Sequence, residues 1–424
     1  MMLPGPAGDR SQAISSSAKR WNRRLEPPSR ANDGCRFALD LVIGPIIALV
    51  LLALPPIAAT QTPETLRSLP ETRRSEPIAP GIEHIEIRRG DFGRGIGTDR
   101  WTVNVLVLDP SKTKLFLGRA LDRGVGTETP SSIAARRGAL AAVNGGYFRT
   151  EGVYRGEPAG ILALAGKVLS EPYRKRPGLA VSNAGGKTRL AVVDVDFGAE
   201  VVPARGARRR VDGVNRPRLD DELVLFTPEF HRTTLSGPSG VEAVVAGGQV
   251  VSVLEGEGNA VIPPDGWVAS AHGASAAWVR GTMKKGTRAE VRSDARLNPR
   301  PGFTPEFVIG GGPRLVKGGQ PAAASDPGIY PEGFAAAHHP RTVAGVRADG
   351  RILLVTVDGR QPELSVGMTI AELASLLIEL EAVEAVNMDG GGSTAMVVRG
   401  RVVNSPSDLA GERAVGDALL VFLR

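Results

Sequence analysis

Three polar clusters, each flanked by glycine and each placed where an apolar run ends, hold the side chains best suited to chemistry. They are Asn144-Gly145-Gly146-Tyr147-Phe148, Arg341-Thr342 with Asp358-Gly359-Arg360, and Asn387-Met388-Asp389-Gly390-Gly391-Gly392-Ser393-Thr394. Glycine lacks a Cβ and reaches positive φ, so successive backbone N–H groups can close around an anion. A phosphate seat is the chemistry such a run suggests. No Lys follows Gly390, Gly391 and Gly392, which excludes a nucleotide P-loop, whose lysine reaches the terminal phosphates. Taken singly, each cluster also reads as a hairpin turn, and Asp358-Gly359 alone is a common one. Order joins them: Asp358 ends the run before a capped helix and Asp389 ends the run after it, a connection that often brings strand ends together.

The elements that must position these groups are legible around them. Thr369 with Glu372 forms a capping-box pattern, and Ile370, Leu373, Leu376, Leu377 and Leu380 recur at helical spacing. A second helix is expected over Ser131 to Gly138. Short β-type runs divided by glycine turns cover Trp101 to Leu108, Lys114 to Gly118, Ile161 to Leu164, Val241 to Val245, Val250 to Leu254 and Thr342 to Val346. Ala348-Asp349-Gly350 is a hairpin signal between two such runs. These readings predict an α+β fold, with antiparallel-rich mixed sheets and a few covering helices.

At the N-terminus, residues 1–36 form a basic segment read as cytoplasmic, and 37–59 contain the apolar run Leu41 to Ala59, read as a signal peptide or a transmembrane anchor. Residues 60–80 read as a solvated linker, and one domain is expected over 81–424. The basic flank implies export across the inner membrane, to a periplasmic, membrane-anchored or secreted location. The membrane is a partner only through the apolar segment, if it is uncleaved.

Composition narrows the partners. The formal charge of +7 divides into +4 in residues 1–36 and +4 in 60–424, with Asp40 between. That is a mild bias rather than a basic patch, and aromatic interleaving for base stacking is missing, so no nucleic-acid partner is expected. The lone Cys35 excludes an intramolecular disulfide framework and a Cys-based zinc site. Any metal should be a hard, oxygen-bound cation, and no organic cofactor is expected.

At this point the sequence resembles a known family. The first cluster, His339-Pro340-Arg341-Thr342 with Gly345, Val357 to Arg360, Gly367-Met368-Thr369 with Glu372-Leu373, and Asn387 to Ser393 look like the phosphodiester glycosidase domain. The tail Asn404 to Asp408 and Glu412 to Val415 looks like its closing segment, and Gly310-Gly311-Gly312-Pro313 matches a family turn, read as a wall of the site. This domain is found in N-acetylglucosamine-1-phosphodiester α-N-acetylglucosaminidase and in exported bacterial proteins labelled exopolysaccharide-related. The resemblance implies an exported hydrolase that cleaves the sugar anomeric C–O bond of a glycosyl phosphodiester in envelope or extracellular glycans. It also implies a divalent cation, calcium or magnesium, in several members. The alternative is a non-catalytic glycan-binding or exopolysaccharide-assembly protein with the same fold.

The residues suit that chemistry. Asp358 and Asp389 are the expected catalytic carboxylates, one acting at the anomeric centre or on water and the other ligating a cation, with the assignment open. Arg341 and Arg360 can clamp phosphate oxygens bidentately, and Thr342, Ser393 and the amides of Gly390, Gly391 and Gly392 can add hydrogen bonds. Asn144 and Asn387 are candidates for sugar hydroxyls or the metal shell, Asn387 beside Asp389 as a metal ligand.

Overall fold

The helix Ile370–Glu379 forms where the leucine spacing predicts it, and its N-terminus carries the full capping box: the Thr369 hydroxyl accepts from the Glu372 N–H while the Glu372 carboxylate accepts from the Thr369 N–H. Leu373, Leu376 and Leu377 are buried against Val103, Val105, Val343 and Val355 of a sheet. Each such side chain contributes roughly 1.5–3 kcal/mol on burial. In this computed structural model, residues 69–93, 99–322 and 328–424 are described. The basic segment, the apolar run and Cys35 lie outside the described residues.

That sheet has eight strands in the order Glu71–Ala79, Ile82–Arg89, Trp101–Leu108, Ile352–Val357, Arg341–Arg347, Ala382–Asn387, Arg314–Lys317 and Gln320–Pro321, with antiparallel neighbours. Its first strand lies inside the stretch expected as a linker. Most of Glu71–Ala79 is solvent-exposed, because it is an edge strand held by its ladder bonds to Ile82–Arg89 and anchored in the core at its end by Ile78. A polar edge strand carries no apolar alternation and so reads as linker.

The other face of the sheet packs Leu106, Leu354, Ala344 and Met388 against Val143, Leu419, Val421 and Met396. These last belong to a five-stranded sheet ordered Arg401–Val402, Met396–Val398, Ala141–Asn144, Asp417–Leu423 and Thr113–Arg119. The helix Pro130–Arg137 covers that sheet's outer side through Ile133 and Ala134, starting at a Thr129 cap and ending at Gly138 in the left-handed region. A seven-stranded and a second five-stranded sheet occupy the middle of the chain, the latter covered by the helix Gly273–Thr282. The architecture is α+β and dominated by antiparallel sheets, as expected; among the described residues one parallel pair joins Gly213–Val214 to Leu223–Phe226.

Candidate active site

The hairpin Arg341–Arg347 and Ile352–Val357 pairs Arg341 with Val357, and the strand Ala382–Asn387 pairs Asn387 with Val343. The ends bearing Arg341, Asp358 and Asp389 therefore share one edge of the molecule. Side-chain alternation then divides them. Arg341 points to the helix face: its Nε donates to the Met368 carbonyl at 2.9 Å, its Nη2 donates to the carbonyls of Phe334 and Ala337, and its guanidinium lies 4.8 Å from the Phe334 ring centre. Burial holds its pKa down to about 10. Asp358 points to the opposite face, where Oδ1 accepts from Asn404 Nδ2 at 2.9 Å and from the Ser405 N–H at 3.0 Å. Burial pushes its carboxyl up to about 7 against those two donors. The four side chains expected to line one site thus do not all meet.

Several other expected ligands are engaged by the protein itself. Asn144 is fully buried; its Nδ2 donates to the Asp389 carbonyl and its Oδ1 accepts from the Thr342 hydroxyl at 2.6 Å and the Ala395 N–H at 3.2 Å. Asn144 and Thr342 therefore position the loop rather than face a substrate. The Gly390 N–H donates to Asp389 Oδ1, and the Gly391 N–H donates to the Pro340 carbonyl, so two of the three amides expected to cradle phosphate are taken. Gly391 adopts φ 61°, and a Cβ there would lie 3.1 Å from Arg360 Nη2. Arg360 itself is exposed, and its Nη2 lies 3.4 Å from His339 Nδ1. Ser393 is buried, and its hydroxyl is directed at the Asp389 carboxylate.

A centre does form around Asp389, with partners the sequence reading omitted. The Asp389 N–H donates to the Gly145 carbonyl, the Gly145 N–H to the Asp417 carbonyl, and the Gly146 N–H to Asp417 Oδ1 at 2.8 Å. A Cβ on Gly145 would fall 2.1 Å from that same Oδ1, so only glycine fits there. Asp417 is 3% exposed. Burial, helped by the Asp389 charge, pushes its carboxyl up to about 7 against the Gly146 N–H and the Arg119 charge. Desolvation likewise raises Asp389 to about 6, opposed by the Ser393 hydroxyl, the Gly390 N–H and the charges of Arg413 and Arg176. Asp417 follows a glycine at the mouth of an apolar strand, the same signal that marked Asp389, and the family-like tail stops two residues short of it.

Beyond this pair lie aromatic and amide groups. Asn387 Nδ2 donates to the Tyr147 hydroxyl at 2.9 Å and to the Gly312 carbonyl at 3.2 Å, and the Tyr147 hydroxyl donates to that carbonyl at 2.8 Å. The glycine turn Gly310 to Pro313 thus receives both Tyr147 and Asn387 at its Gly312 carbonyl. Asn387 Oδ1 is buried without a partner. Among the described residues no group of three or more His, Cys, Asp or Glu converges to hold a metal ion. The donors near Asp389 are nonetheless hard oxygens, the type a calcium or magnesium ion takes.

Residues 239–422 match the phosphodiester glycosidase family, in agreement with the resemblance read from the motifs. A prophage-derived protein of Bacillus subtilis, strain 168, is 35% identical over 141 residues, which is 33% of this chain and 20% of that one. The N-acetylglucosamine-1-phosphodiester alpha-N-acetylglucosaminidase of Bos taurus is 37% identical over 68 residues, 16% of this chain and 12% of that one. The matches therefore span a fifth or less of these curated relatives. Among solved structures, a Burkholderia pseudomallei protein described as exported superposes with a TM-score of 0.73 and 27% identity, over 84% of this chain and 97% of its own. A hypothetical protein from Synechocystis shares the fold, with a TM-score of 0.70 and 22% identity over 83% of this chain and 64% of its own.

Proposed function

From a chain whose residues 239–422 match the phosphodiester glycosidase family, we propose an exported hydrolase that cleaves the anomeric C–O bond of a glycosyl phosphodiester in envelope or extracellular glycans. The observation that carries this reading is the pair formed by half-buried Asp389 and buried Asp417, both bonded to the Gly145-Gly146 backbone, with carboxyls raised to about 6 and about 7. Near neutral pH such a pair offers one ionised and one protonated carboxyl, the two states that hydrolysis at an anomeric carbon requires. The phosphate, which departs as a monoester, is already a good leaving group. The ionised Asp389 therefore stabilises the positive charge developing on the sugar or takes the proton of the attacking water, and Asp417 holds the proton that completes the cycle. Asp358 supports the loop at Asn404 and Ser405 rather than sharing this centre.

A divalent cation belongs to the same proposal, with Asp389 and Asn387 as its ligands; the unpartnered Asn387 Oδ1 supports it. Bound there, the ion would supply charge neutralisation for the phosphate. Export is supported by the apolar run after a basic flank and by the likeness to a protein described as exported.

Incubation with an N-acetylglucosamine-1-phosphodiester and a panel of other sugar phosphodiesters in ¹⁸O-water tests the reading. Released sugar labelled at the anomeric oxygen is expected. Label in the phosphate would mean P–O cleavage, and binding of glycans without any release across the panel would leave a non-catalytic protein.

A further inference from the structure

The guanidinium of Arg176 lies 4.7 Å from the ring centre of Tyr147, 4.9 Å from that of Tyr173 and 4.9 Å from that of Tyr330. Its Nη2 makes one long donation, 3.4 Å to the Ile329 carbonyl, and its Nε is buried with no hydrogen-bond partner. The Tyr330 hydroxyl is also buried and unpartnered, and it lies 2.0 Å from where a Cβ on Gly312 would be. Gly312 is the residue whose carbonyl receives Tyr147 and Asn387. Two unused donors therefore lie at the wall of the site, against Tyr147 and Gly312, the two groups that receive the Asn387 amide.

Stacking against rings fixes the plane of a guanidinium while leaving its N–H edges free, the arrangement that recognises two phosphate oxygens at once. Buried donors without partners are rare, so each one retained in a site calls for a ligand. We propose that Arg176, with the Tyr330 hydroxyl as a second donor, is the residue that anchors the anionic phosphodiester group of the substrate. It thereby sets the preference for a phosphodiester-linked sugar over a neutral glycoside. This assignment takes its substrate class from the hydrolase reading above, but it concerns binding of the anion and stands or falls by a separate measurement. It also replaces Arg341, whose guanidinium is directed at backbone carbonyls.

The test is titration of the full chain with diethyl phosphate, a monoanionic diester, and with methyl N-acetyl-α-glucosaminide, a neutral sugar. Arg176→Ala should weaken diethyl phosphate binding about tenfold or more, the scale of hydrogen bonds to a charged group. The neutral sugar should change by less than about twofold, because its contacts are untouched. Arg176→Lys and Tyr330→Phe keep most of the packing and should each weaken the diester several-fold, so they carry the test if Arg176→Ala fails to fold. A folded variant set that binds diethyl phosphate as tightly as the parent, or a parent that does not bind it at all, overturns the anchor. Diester binding that depends on Arg176, in a protein that hydrolyses no glycosyl phosphodiester, sustains the anchor and sinks the hydrolase reading instead.

Discussion

Asn144 Nδ2 donates to the carbonyl oxygen of Asp389 at 2.7 Å, across 245 positions of sequence. A side chain on the strand Ala141–Asn144 of one sheet thereby sets the backbone of the loop that leaves another. The loop's catalytic candidate is placed by a fully buried residue whose amide oxygen is already shared by two donors.

Asn144→Ala removes that donor and strands the Asp389 carbonyl, the Thr342 hydroxyl and the Ala395 N–H in the interior. An unsatisfied buried polar group costs about 1–3 kcal/mol, so the urea midpoint should fall by a corresponding amount and turnover should drop with it. A variant of unchanged midpoint would mean that Asn144 faces the substrate after all.

Asp389 and Asp417 titrate at about 6 and about 7 in the folded protein, above the 3.8 of an unperturbed Asp. The folded state thus binds these protons more tightly than the unfolded chain does. Their contribution to stability is fully present below the unfolded value and is lost as pH rises through about 6 and about 7. Urea midpoints measured from about pH 5 to about pH 8 should decline for this pair, and Asp417→Asn should flatten the decline, since an amide never ionises. Both Asp389→Asn and Asp417→Asn should abolish turnover; an unaltered pH slope in both would show that the carboxyls are not held protonated.

Much of this arrangement was legible because local rules wrote it. The capping box at Thr369 and Glu372, the leucine spacing behind it and the hairpin at Ala348 to Gly350 depend on neighbours in sequence, and all three appear as read. What the sequence concealed is side-chain direction. Arg341 and Asp358 sit at adjoining strand ends, yet period-two alternation sends them to opposite faces, and only the register shows it. Asp417 and Arg176 join the site from the last strand and from the turn before Gly178–Ser182, through pairings no local pattern encodes. The strand Glu71–Ala79 was hidden for a different reason: its residues are polar because they stay in water.

A cation at Asp389 and Asn387 would be read by melting temperature as well as by activity. Calcium or magnesium should raise the melting temperature of the chelator-treated protein by mass action, and Asn387→Ala should remove that response while leaving the chain folded. An equal response in parent and variant would place any bound ion elsewhere.

Arg341 and Arg360 match the same family pattern, yet their surroundings predict opposite phenotypes. Arg341 is buried, and its Nε and Nη2 hold the carbonyls of Met368, Phe334 and Ala337. A lysine there cannot reproduce a planar fork, so Arg341→Lys should cost about 1–3 kcal/mol of stability, seen in the urea midpoint. Arg360 is exposed beside Gly391 and His339, and removing it disturbs no ion pair among the described residues. Arg360→Lys should leave the midpoint within about 0.5 kcal/mol and act on the substrate alone, raising KM several-fold with kcat within about twofold. Should Arg341→Lys instead keep full stability and lose only substrate affinity, its carbonyl contacts would be incidental and the clamp first read from the sequence would be restored.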